Sequence, residues 1–97
     1  MERQNSKMSE LSDLEFRIID ELYFVTSFSD LLSSLNENTD ALLNGLRELL
    51  EKKLIVQLVF DKAVNDFQKL DEPDFKLLDQ SHYVASKEGL LVHNSRV

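Results

Sequence analysis

The chain has 97 residues, 42% of them apolar, which is enough for one compact domain and too few for two cores of ordinary size. It has no cysteine, which removes disulfides, thiolate metal sites and a thiol nucleophile, and its 18 acidic and 11 basic residues leave a net charge of −7 that repels a phosphate backbone at long range. The polar, acidic start MERQNSKMSELSDLEF lacks the apolar core of a secretory signal, and no run reaches the roughly 18 apolar residues of a membrane span, so a cytoplasmic location with no membrane contact is expected.

Residues 1–11 show no apolar period and are expected to form a flexible tail. Ser12 and Glu15 make a capping box, and Leu14, Ile18, Leu22 and Val25, with Ile19 widening the stripe, predict a first helix near 13–24. Phe16 and Tyr23 fall off that stripe, either padding the edge of the core or forming an aromatic seam toward a partner. The β-prone YFVTSF predicts a short strand or extended link. Ser27 with Asp30 repeats the cap pattern before Leu31, Leu32 and Leu35, predicting a helix over 28–35, and Asn36 suits the tight turn that follows.

Thr39 is expected to cap a third helix over 39–53, with Leu42, Leu46, Leu49 and Leu50 buried and Gly45 allowing the second helix to approach closely. Lys52 and Lys53 suit its negative end, and LIVQLVF then reads as a strand. A further strand is expected at HYVAS, residues 82–86, with Ser86 capping a last short helix. The connection over about 61–81 is long, with Pro73 expected at a turn at its tip. Its Phe67, Leu70, Phe75, Leu77 and Leu78 are too apolar for a solvated loop and predict a hairpin or short helix packed on the domain.

Two stretches in this order resemble the winged helix-turn-helix domain of small bacterial transcriptional regulators of the MarR and PadR kind. In DALLNGLRELLEKKLI, Leu46, Leu49, Lys52, Leu54 and Ile55 match the family's third helix and its exit, with Lys53 in place of a glycine. In YVASKEGLLV, Tyr83, Ser86 and Gly89 match the second wing strand and the turn after it, Ala85 and Ser86 being smaller substitutes. The resemblance implies an α+β winged helix over residues 12–93, a three-helix bundle with a small antiparallel wing, followed by a tail over 94–97. It also implies DNA binding, with the third helix in the major groove and the wing on the flanking backbone.

The outward positions of that helix are then Asp40, Ala41, Leu43, Asn44, Arg47, Glu48 and Glu51, whose three carboxylates a phosphate would repel. The wing carries six acidic residues and only Lys62, Lys69 and Lys76. Enzymatic readings find no support. His82 and His93 lack metal-ligand spacing, the two glycines make no phosphate loop, Ser81 beside His82 has no nucleophile elbow, and the acidic NDFQKLDEPD lacks the spacing of a calcium loop. No cofactor or metal is expected.

Two function classes stay open. One is a homodimeric regulator that touches duplex DNA weakly through Thr39, Asn44, Arg47, Lys62, Lys69 and Lys76. The other is a winged-helix module that binds a protein partner, with Phe16, Tyr23, Leu43, Phe67 and Phe75 as candidate contacts.

Overall fold

The computed structural model describes residues 11–95. Helix α1 (Asp13–Glu21) begins with a complete capping box: Glu15 N–H donates to Ser12 Oγ and Ser12 N–H to Glu15 Oε1, both at 3.0 Å. Glu15 is buried and its Oε1 also meets Lys52 Nζ at 3.1 Å, so the cap ties the start of α1 to the end of the third helix. The helix stops at Glu21 instead of 24, and Val25, expected in its stripe, is 48% exposed. Thr26 explains the early exit. Its hydroxyl donates to the carbonyls of Glu21 and Phe24, while β1 (Thr26–Ser27) turns the backbone into the sheet.

Ser27 caps α2 (Phe28–Leu35) through Asp30 N–H, and Asn36 ends it with φ 55°. Arg17 spans the following turn, donating to Leu35 O at 2.8 Å and pairing with Glu37. The cap of α3 (Thr39–Glu51) is Asn38, one residue before the expected Thr39, because its side-chain carbonyl oxygen accepts from Ala41 N–H at 2.7 Å. Gly45 admits α1 and not α2: a methyl group there would meet Ile18 and Leu14.

The exit from α3 is a Schellman motif. Leu54 N–H reaches Leu49 O and Lys53 N–H reaches Leu50 O, which requires Lys53 to hold φ 63°. That is a glycine-favoured conformation occupied by a lysine, at a cost on the order of 1 kcal/mol.

Strand β2 (Ile55–Asp61) pairs antiparallel with β3 (Asp66–Lys69) on one side and β4 (His82–Ala85) on the other, and β4 pairs with β1, giving the order β1-β4-β2-β3. The ladder turns at 62–65, with Asn65 at φ 56°, so the hairpin tip lies there and not at Pro73. Pro73 instead leads into a 3-10 turn (Phe75–Gln80), so the long connection forms both a hairpin and a short helix. Helix α4 (Lys87–Ser95) runs past residue 93, taking in part of the expected C-terminal tail. Leu11, expected in the N-terminal tail, packs on the core; residues 1–10 and 96–97 lie outside the described residues.

The helices bury one face of the sheet. Ile18, Ile19, Leu22, Leu31, Leu42, Leu46 and Leu49 meet Ile55 and Tyr83 in one core. Val56, Leu58, His82 and Val84 alternate onto the opposite face, where they are half-buried. No helix among the described residues is long and apolar enough to cross a membrane.

Tyr83 is fully buried and its hydroxyl donates to Leu78 O at 2.6 Å, fastening the 3-10 turn to the sheet. Burial pushes its ionisation far above the usual tyrosine range, with Ser81 opposing and Asp79 adding to the shift. Since the folded value lies above the unfolded one, this group's contribution is complete below about pH 10 and declines as pH rises beyond it. In a spectrophotometric titration, Tyr83 should ionise only together with loss of structure. Full tyrosinate absorbance with the circular dichroism unchanged would contradict this.

Candidate functional site

The third helix presents Thr39, Asp40, Asn44, Arg47, Glu48 and Glu51 to solvent. Leu43, expected to face outward, is half-buried against the core, because the apolar arc of α3 extends one residue beyond Leu42. The guanidinium of Arg47 lies over the Phe75 ring, 4.7 Å from its centroid. Such a contact contributes roughly 0.5–1 kcal/mol at an exposed site, so it biases the arginine toward the 3-10 turn without locking it there.

The lysines of the 61–81 connection do not converge. Lys69 is opposite Leu58 near the base of the hairpin, whereas Lys62 follows Asp61 at its tip, roughly 13 Å farther along the ladder. Asp61 and Asp66 form the last rung beside Lys62, and Lys76 lies on the separate 3-10 turn. A phosphate backbone tracking these three would pass carboxylates at each step.

The aromatic candidates are engaged within the chain. Phe16 stacks on the His93 ring at 4.2 Å and 13°, and the Tyr23 hydroxyl donates to Asn94 Oδ1 while lying 3.1 Å from His93 Nδ1. Helix α4 therefore covers this seam, leaving Tyr23 partly exposed. His93 is buried, its Nε2 3.3 Å from Asp20 Oδ1 but too poorly aligned for a hydrogen bond. Phe67 packs edge-on against Phe60 and tilted against His82 across the sheet. The most exposed ring is Phe24, at 82%, a residue that the helical stripe does not single out.

A feature that no local stretch of sequence announces joins the end of α3 to the segment after the β2–β3 hairpin. A half-open cleft of about 520 Å³ has Leu50, Ile55, Val56, Leu70, Pro73 and Phe75 among its apolar walls. Four carboxylates, Glu51, Asp71, Glu72 and Glu88, and two ammonium groups, Lys53 and Lys69, share its lining. Phe75 belongs both to this cleft and to the Arg47 contact, so the cleft continues the exposed face of α3.

Gln57 fixes the far wall. It is 1% exposed, its Nε2 donates to Asp74 O and Ser81 Oγ, and its Oε1 accepts from Asp74 N–H at 2.8 Å. The one signal for it in the sequence was its place as the lone polar residue inside LIVQLVF. Among the described residues no cluster of three or more His, Asp or Glu side chains could hold a metal ion. Comparison with protein-family models, curated proteins and solved structures finds no match to this chain.

Proposed function

We propose that the chain is a non-enzymatic winged-helix domain that acts as a protein-recognition module and holds duplex DNA only weakly. The order of elements supports the first part. A short strand follows the first helix, a left-handed residue separates α2 from α3, β2 and β3 project as a hairpin, and β4 returns between β1 and β2.

The observation that carries the second part is the exposed face of α3. Asp40, Glu48 and Glu51 stand there against Arg47 alone, and Arg47 rests on Phe75. Asp40 lies in the first turn, where it opposes the positive end of the helix dipole and cancels the field that would draw a phosphate. Non-specific duplex binding requires several neutralised phosphates, each adding close to one unit of salt slope, and this face offers one cation.

Anisotropy titration on random duplex at about 150 mM salt should give no binding tighter than the usual non-specific range of roughly 10⁻⁴ to 10⁻⁶ M. Sub-micromolar affinity would restore direct DNA contact. The pair Asp40→Lys and Glu48→Lys adds a control: a large gain in affinity means that α3 enters a groove, and little change means that it does not.

A further inference from the structure

We propose that the cleft between the end of α3, the start of β2 and residues 69–75 docks a short segment of a partner protein in which an apolar side chain is flanked by lysine or arginine. This rests on the protein-recognition reading and gives it a site and a partner chemistry.

Three observations converge. The cleft's volume of about 520 Å³ falls in the ordinary range for ligand pockets, and its walls include the buried Leu50 and Ile55 and the half-buried Val56 and Leu70, which suit an aliphatic or aromatic side chain. The charge at its mouth is lopsided. Glu51, Asp71, Glu72 and Glu88 are all exposed, and neither they nor Lys53 and Lys69 take part in the ion pairs formed among the described residues, at Arg17–Glu37, Lys52–Glu15 and His93–Asp20. Unpaired carboxylates around an apolar floor complement a cationic segment, and the chain's net charge of −7 steers such a segment inward.

The third observation is that the cleft is built before any partner arrives. Gln57 holds Asp74 by two hydrogen bonds, Leu70 N–H donates to Gln57 O, and Ser86 N–H donates to Leu54 O, so the walls are fastened to the strand that forms the floor. A preformed wall spares a ligand the entropy of ordering it. Lys53 at the mouth keeps its strained left-handed conformation where glycine would sit without cost, and strain of this kind concentrates at binding positions.

The full chain should be used to select from a displayed library of random nonapeptides, and a selected peptide titrated into isotopically labelled protein. Enriched sequences should carry leucine or an aromatic residue between lysines or arginines, and the amides of Leu50, Ile55, Val56 and Leu70 should shift together. Asp71→Lys with Glu72→Lys, both at exposed positions that leave the core untouched, should weaken binding about tenfold, and serine in place of the peptide's apolar residue should do the same.

No enrichment, acidic enrichment, or affinity unmoved by the charge reversal would overturn the proposal. Shifts confined to Asn44, Arg47 and Glu48 would keep protein recognition but move it off the cleft. Cleft shifts produced by dilution of the protein alone would assign the site to a second copy of this chain. Sub-micromolar duplex binding, measured separately, would remove the reading on which the proposal rests.

Discussion

Gly89→Ala is expected to destabilise the domain by about 3 kcal/mol, the upper part of the range for overpacked sites, and to lower its thermal midpoint by roughly 15 °C. A methyl group at this position would lie 1.9 Å from Leu54 O, well inside contact distance, and the obstacle is backbone. Neither side can yield easily. Ser86 N–H donates to that same Leu54 carbonyl, Ser86 Oγ donates to Lys53 O, and Gly89 N–H donates back to Ser86 Oγ, so the start of α4 and the exit of α3 are stitched through one serine.

Moving Gly89 away strains these bonds and draws α4 off the seam that it covers with His93. Gly45→Ala is the control. There the added methyl would meet the Ile18 Cδ1 tip at 2.8 Å, a side-chain end that can shift, while alanine gains about 1 kcal/mol of helix propensity. Differential scanning calorimetry of the two variants should separate them clearly. Equal midpoints would mean that the approach of α4 to Leu54 is not a fixed feature of the fold.

The contrast between these glycines shows which structural information is local. The caps at Ser12, Ser27 and Ser86 were readable because a hydroxyl and an amide three residues on meet through the chain's own geometry. Gly45 was recognisable as a place needing space, yet which element fills it depends on how α1 crosses α3, and no spacing in α3 encodes that crossing; the approach of Leu54 O to Gly89 has no local signal at all. Val25 had the period of a buried residue and lost it because Thr26 turned the chain first.

The site was less legible than the fold. Arg47 and Phe75 are each visible as candidates, but they are 28 positions apart and meet only because the 3-10 turn packs on α3. The cleft is a product of the same docking. Its acidic residues come from α3, the 69–75 segment and α4, and in sequence they are simply solvated charges.

Gln57→Ala is expected to destabilise by about 3 kcal/mol, since it strands polar groups that cost 1–3 kcal/mol when left unpaired and opens space in a closed interior. Among the described residues Gln57 is the one side chain bonded to the Asp74 main chain, and Ser81 Oγ, which still donates to Leu77 O at 2.6 Å, loses the donor from which it accepts. The loss should be uneven. Leu77 N–H keeps its bond to Asp74 O and Tyr83 keeps its bond to Leu78 O, so the 3-10 turn stays tethered at its far end while the segment before it comes loose.

Hydrogen exchange reads this directly. The amide of Asp74 should exchange about a hundredfold faster, corresponding to a local opening eased by nearly 3 kcal/mol, and core amides such as Ile19 and Leu46, which exchange through global unfolding, should accelerate by no more than that. An Asp74 amide that exchanges no faster while the core amides accelerate would mean that Gln57 does not pin this wall. With the wall free, a cleft ligand must order residues 70–74 itself, so its affinity should fall by more than the global stability accounts for, while the exposed face of α3 keeps its properties. A buried glutamine in an apolar strand then has a reason for its place: it trades core hydrophobicity for a wall held at a fixed distance from the floor.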